Sequence, residues 1–233
     1  MWQPHVMVES SYPAQRQSPR IEAPVTSSDH PDYLAPYVEA IEAFGPGFDA
    51  TLWASREGQI RRFDLLIDLG DIGAHRVLDV GCGPGDLALR MIEREVPYLE
   101  YVGFDAIEAV IDGARARSIP RSRFEVADVV ARPKCMHEVE PDIIVLSGTM
   151  NAMEERVGRA LLESAWDAAR VGVVFNFLSN RPHPEWADRD LTPARRYDTV
   201  DWLDWATGRT PLVRFSQAYY RGHDATIAMF KSD

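Results

Sequence analysis

The feature that most limits what this chain can fold into is the run Val77-Leu78-Asp79-Val80-Gly81-Cys82-Gly83-Pro84-Gly85-Asp86-Leu87. An apolar strand-like stretch passes directly into a turn with three glycines and then into a helix. Glycines there let the backbone approach a ligand closely and adopt angles closed to other residues. The start of the following helix presents free N–H groups and positive potential. The sequence around this unit repeats its logic. Arg76–Val80, Tyr101–Asp105, Phe124–Ala127, Asp142–Ser147 and Val171–Leu178 read as short apolar strands. Helix-like stretches at Leu87–Glu95, Ile107–Arg117 and Glu154–Ala169 separate most of them. Near-continuous apolar strands alternating with helices predict a doubly wound, mostly parallel Rossmann-like α/β sheet covered on both faces. Two further strand-like runs, Leu212–Ala218 and Ala225–Lys231, flank a polar turn and predict a C-terminal antiparallel hairpin.

The glycine turn suits two classes of cofactor. A dinucleotide fingerprint needs its third glycine one residue later, where this chain has Asp86, an acid that would repel a pyrophosphate. The same acid tolerates a ligand without phosphate that carries a cationic centre. Asp79 adds a carboxylate two residues before the first glycine, and Asp105 ends the second strand about twenty residues past the turn. Asp128 follows the third strand. In such sheets ligands bind beyond the carboxyl ends of the strands, so the three acids converge on one crevice. Taken singly, Asp105 also suits a helix N-cap and Asp128 a loop.

Together these residues resemble motif I and its companions in the class I S-adenosylmethionine-dependent methyltransferases. The resemblance runs from about Trp53 onward and implies a seven-stranded sheet whose last strand is antiparallel, with S-adenosylmethionine as cofactor. It implies that Asp79, Gly81, Cys82, Gly83, Asp86, Leu87, Ala106 and Ile107 line the cofactor site, and that Asp105 holds the two ribose hydroxyls. Asp128 and Val129 would meet the adenine, and Ser147 and Gly148 would lie beneath the transferring methyl. A narrower segment, Trp53-Ala54-Ser55-Arg56-Glu57-Gly58-Gln59, resembles that of a small bacterial group of such enzymes with no assigned substrate. There Trp53 would lie over the cofactor, Arg56 would pair with its carboxylate and Gln59 would add a hydrogen bond. An amphipathic helix with Trp53 in the core is the plainer alternative.

The acceptor end carries fewer signals. The stretch Ser147-Gly148-Thr149-Met150-Asn151 lacks the Pro-Pro signature of base methylation. Thr149 and Asn151 are candidates to orient an acceptor, or else to cap the next helix. His183, in a loop after the fifth strand, is a candidate general base or an exposed loop histidine. Catalytic roles are therefore expected of Asn151 and His183. Acids exceed bases by 36 to 25, a net charge of −11, which disfavours nucleic acid and anionic membrane as partners. Two cysteines, Cys82 and Cys135, and no paired histidines at helical spacing predict no metal.

Residues 1–31, broken by five prolines, predict a flexible tail, and 32–233 a methyltransferase domain whose helices over 32–73 form a candidate lid. No apolar run has membrane-helix length and no secretion signal opens the chain, so a cytoplasmic enzyme is expected. The expected function is methyl transfer to a small-molecule or peptide-like acceptor. A noncatalytic protein that binds S-adenosylmethionine or S-adenosylhomocysteine is the alternative, and a nicotinamide oxidoreductase the weaker rival.

Overall fold

The computed structural model describes residues 31–232. The expected tail lies outside the described residues, apart from Pro31. Ala35–Phe44 forms helix α1, which Gly45 ends at φ +76°. A short 3-10 turn, Phe48–Thr51, leads to α2, Arg56–Gly70. Ser55 caps α2 by accepting from the Gly58 N–H at 3.0 Å. The cap starts the helix at Arg56, and Trp53 stays outside it. Phe63, Leu66 and Ile67 are buried on its inner face, whereas Ile60 is exposed.

Strands and helices then alternate. β1 (Arg76–Val80), α3 (Asp86–Glu93), β2 (Glu100–Asp105), α4 (Glu108–Ala116) and β3 (Ser122–Val126) build one half. The other half comprises α5 (Cys135–Glu138), β4 (Ile143–Leu146), α6 (Glu155–Ala168), β5 (Gly172–Ser179), α7 (Pro184–Ala187), β6 (Arg196–Tyr197), α8 (Thr199–Thr207), β7 (Val213–Ser216) and β8 (Asp224–Phe230). The sheet order is β3-β2-β1-β4-β5-β8-β7. β1 to β5 run parallel to one another, and β8 runs antiparallel to both β5 and β7. This is the expected α/β sheet with its antiparallel hairpin. A two-residue strand, β6, is added beside the end of β5.

The chain crosses from one face of the sheet to the other between β1 and β4, which places the crevice above the carboxyl ends of those strands. On one face Leu78, Val80, Phe104, Leu146 and Phe175 meet α6 and α8. On the other, α2 and α3 cover Val77, Val145 and Val174. Burying a side chain such as Phe175 completely contributes about 1.5–3 kcal/mol relative to leaving it exposed. Beside it, Phe177, Tyr197, Trp202 and Trp205 pack at ring-centroid distances of 5.7–6.3 Å.

Candidate active site

Gly81 leaves β1 at φ +73° and passes so close to Thr149 that a Cβ would lie 2.8 Å from its Cγ2. The Thr149 hydroxyl donates to the Val80 carbonyl at 2.6 Å, which locks the turns after β1 and β4 together. Asp105 ends β2. Its Oδ2 accepts from Gly83 N–H and its Oδ1 from Ile107 N–H, both at 3.1 Å. Burial raises its pKa, and backbone N–H groups of Ile107, Gly83 and Ala106 pull the other way. The carboxylate is thus fixed by the glycine turn itself, with further lone pairs left for a bidentate donor such as a pair of ribose hydroxyls.

Asp79 is 2% exposed. Its Oδ2 accepts from the Tyr101 hydroxyl, while its Oδ1 has no partner among the described residues. Burial pushes this carboxyl up to about 7; the Tyr101 hydrogen bond opposes that and the nearby Asp105 adds to it. A buried acceptor left unpaired beside an open glycine turn fits an ammonium group. Nothing lies within 4 Å of where a Cβ on Gly83 would sit, so the turn has room above it. Cys82 is buried, and burial raises its thiol, which disfavours the thiolate. The Leu87 side chain is buried in the core beneath the turn.

Asp86 is held from two sides. Its Oδ1 accepts from Arg117 at 2.5 Å and its Oδ2 from the Gln59 amide at 3.3 Å. Its charge is balanced inside the protein, and Gln59 ties α2 to the start of α3. Asp128 is fixed in the same way as Asp105: Oδ1 accepts from the N–H groups of Val130 and Ala131 at 3.0 Å, and Oδ2 from the Tyr33 hydroxyl at 2.8 Å. Val129 beside it is buried. Tyr37, one turn after Tyr33, is pushed up to about 12 by burial and by the negative Asp105.

At the end of β4, Gly148 adopts φ +71°, and a Cβ there would meet the Trp53 ring at 2.7 Å. Its N–H donates to Asn176 Oδ1 at 2.7 Å. Ser147 Oγ, Asn151 Oδ1 and Asn176 Nδ2 are buried without a partner among the described residues. Neither Thr149 nor Asn151 caps α6, which has no side-chain cap. The loop bearing Asn151 is clamped by Tyr197, whose hydroxyl donates to the carbonyls of Met150 at 2.5 Å and Met153 at 2.7 Å. Arg195 N–H donates to the Asn151 carbonyl at 2.9 Å.

His183 and Arg56 stand further out. His183 is about half exposed, and its Nδ1 accepts from Glu185 N–H at 3.3 Å, capping α7. Arg56 is exposed with its guanidinium 4.4 Å over the Phe48 ring. The buried histidine is instead His223, in the hairpin connection, stacked 4.4 Å from Trp186 and pushed down to about 4 by burial. Sequence reading also passed over Arg62, Asp224 and Tyr197, whose partners lie far away in the chain. Among the described residues no group of three or more His, Cys, Asp or Glu gathers as a metal site would need. No helix among them is long and apolar enough to cross a membrane.

Comparison with known proteins agrees with this geometry. Residues 73–161 match a family model described as a methyltransferase domain. A trans-aconitate 2-methyltransferase of Mycolicibacterium gilvum is 27% identical over 67% of this chain and 59% of its own length. One from Variovorax paradoxus is 34% identical over 33% of this chain and 28% of its own. The chain thus spans less than two thirds of these relatives. Among solved structures, an O-methyltransferase family protein from Burkholderia thailandensis superposes with a TM-score of 0.67 at 17% identity, over 86% of this chain and 64% of that one. Magnesium protoporphyrin IX methyltransferase from Synechocystis, with bound S-adenosylhomocysteine, gives 0.62 at 11% identity, over 85% of this chain and 99% of its own. These structures share the fold. Together with the sheet order and the glycine turn, the match over residues 73–161 supports a class I S-adenosylmethionine-dependent methyltransferase domain in that part of the chain.

Proposed function

We propose that the chain transfers the methyl group of S-adenosylmethionine to a small-molecule acceptor bearing a carboxylate. The observation that carries the cofactor half of this reading is the pair of buried carboxylates, Asp105 anchored to the glycine turn and Asp79 with an unpaired Oδ1. In it, Asp105 holds the ribose hydroxyls, with Ala106 and Ile107 beside them. Asp128 and Val129 meet the adenine edge. The Gly81–Gly85 turn with Cys82, Asp86 and Leu87 cradles the methionine part, and Asp79 faces its ammonium. Bound there, the cofactor supplies an electrophilic methyl on a sulfonium centre. The protein's task is alignment and exclusion of water.

Residues 32–73 act as the lid. Tyr33 reaches Asp128, Gln59 reaches Asp86, and Trp53 lies against Gly148. The acceptor then sits beside Ser147, Gly148 and Asn151, with Asn176 as a buried donor. The relatives' printed activity on trans-aconitate favours a small carboxylic acid. A carboxylate has a pKa near 4, so it is already ionised at neutral pH and needs no general base. That fits a site whose histidine candidate, His183, is partly exposed and engaged as a helix cap. In this reading Asn151 orients the acceptor and His183 lines the entrance. A bacterial, cytoplasmic setting belongs to the same proposal.

The test is formation of S-adenosylhomocysteine when purified protein is given S-adenosylmethionine and a panel of small di- and tricarboxylic acids, trans-aconitate included. Turnover with at least one acid, lost in Asp105→Ala, is expected. Tight cofactor binding without turnover on any acid, or label entering a nuclease-sensitive fraction, would overturn the reading.

A further inference from the structure

Arg62 and Asp224 form a buried, two-pronged ion pair across 162 positions of sequence, with Nε to Oδ1 at 2.7 Å and Nη2 to Oδ2 at 2.8 Å. Their side chains are 10% and 2% exposed. Taking two charges out of water is costly, and an apolar pair of the same volume commonly stabilises a fold at least as well. Stability alone therefore does not account for the pair. Its surroundings do.

The fork fixes the plane of the guanidinium, which a lysine ammonium could not offer. Against that plane lies the Trp53 ring, 4.5 Å from Arg62 Cζ to the centroid, and the Tyr220 ring at 5.1 Å. The first turn of α2 is shaped to admit it: a Cβ on Gly58 would stand 3.0 Å from Arg62 Nη1 and from the Tyr220 hydroxyl. Trp53 in turn rests on Gly148, whose N–H is held by Asn176 of β5. Asn176 pairs in register with Thr226, two residues from Asp224 on β8. The contacts close a ring from β8 through Arg62, Trp53, Gly148 and Asn176 back to β8.

We infer that Arg62 and Asp224 are positioning residues that hold the Trp53 ring over Gly148 and so set the roof of the methyl-transfer position. The role of that roof in transfer rests on the function proposed above; the placement of the ring does not. Neither residue touches the reacting atoms. They act through Trp53, and a misplacement of about 1 Å at such a site can lower turnover about a hundredfold.

The decisive variant is the double substitution Arg62→Met with Asp224→Leu, which removes both charges and leaves neither orphaned. Its thermal midpoint should equal or exceed that of the parent. Its kcat should fall at least about tenfold with a smaller change in acceptor KM. The indole N–H resonance of Trp53, assigned by its loss in Trp53→Phe, should move. Adding the double substitution to Trp53→Ala should lower kcat no further, because both act through one ring. Arg62→Lys, which keeps the charge and loses the plane, should show the same resonance shift and restore only part of kcat, and it serves if the double variant does not fold. An unmoved Trp53 resonance in a folded variant overturns the inference, as does an unchanged kcat. If the parent protein turns over no acceptor, the proposed function fails, and the resonance still decides the placement of Trp53.

Discussion

The two halves of the crevice are built in different ways. Around β1 to β3, backbone N–H groups orient the two strand-end acids: Asp105 by Ile107 and by Gly83 on the adjoining strand turn, Asp128 by Val130 and Ala131. Around β4, β5 and β8 the groups are set by distant chain: Arg62 by Asp224, Gly148 by Asn176, and the Asn151 loop by Tyr197. Backbone N–H groups orient a carboxylate wherever the strand–turn–helix unit forms. Side-chain bridges between far elements do so only when the whole sheet has closed. The first half can keep one ligand while the second is free to vary with the acceptor.

That contrast predicts graded effects. The largest belongs to Asp105→Ala, which removes the carboxylate proposed to hold the ribose and frees the Gly83 and Ile107 N–H groups. Affinity for S-adenosylhomocysteine should fall by about 2–4 kcal/mol in calorimetry. An unchanged affinity would break the assignment of the first half. Next comes Gly148→Ala, which forces a Cβ onto Trp53 at a left-handed backbone angle. It should lower stability by about 1–3 kcal/mol in denaturant titration and abolish turnover. Adenosine, which needs only the first half, should bind as before; if it does not, the halves are not independent.

A smaller effect is carried by pH. Burial raises the Asp79 carboxyl to about 7. The ionised form is the one that attracts an ammonium, so binding of S-adenosylhomocysteine below pH 7 must release a proton. Affinity should weaken about tenfold, or about 1.4 kcal/mol, for each pH unit below that point. Asp79→Asn should flatten the profile, and 5′-methylthioadenosine, which lacks the ammonium, should show none of it. The sign for folding runs opposite to that for binding. The raised pKa means that the folded ligand-free protein binds more protons than the unfolded chain between the ordinary carboxyl range and about 7. Asp79 thus favours the fold at acid pH, and that stability is lost as pH rises through about 7. Last is Arg56→Ala, which removes an exposed cation from the Phe48 ring and should change stability by about 0.5–1 kcal/mol at most. Loss of cofactor affinity in that variant, with adenosine unaffected, would give Arg56 the carboxylate role that the sequence motif implies.

Legibility followed the same division. The glycine turn, Asp105 and the alternating strands were readable because their meaning is local: strand, turn and helix occupy consecutive residues. Residues 180–211 were not read as structure, although Asp198 caps α8 through the N–H groups of Val200 and Asp201 and the aromatics that follow fall on its buried face. The polar, proline-containing stretch before them hid that pattern. His183 and His223 look alike in sequence, each in a polar loop. Only the packing of Trp186 and the burial of the hairpin connection distinguish them. Arg62 reads as one more polar residue on a helix until Asp224 is brought beside it.

The position of β8 sets an order on the molecule's assembly. It is the latest of the eight strands among the described residues, yet it lies inside the sheet, between β5 and β7. All eight residues of β5 are buried in the finished structure. When residue 179 has left the ribosome, β1 to β5 have all been made, but the edge of β5 awaits residues 224–230. Until then an apolar strand has one unpaired row of N–H and C=O groups, the template on which chains join one another. Slow translation of the stretch between β5 and β8 lengthens that exposure, and the interval is where a nascent chain of this protein most needs a chaperone.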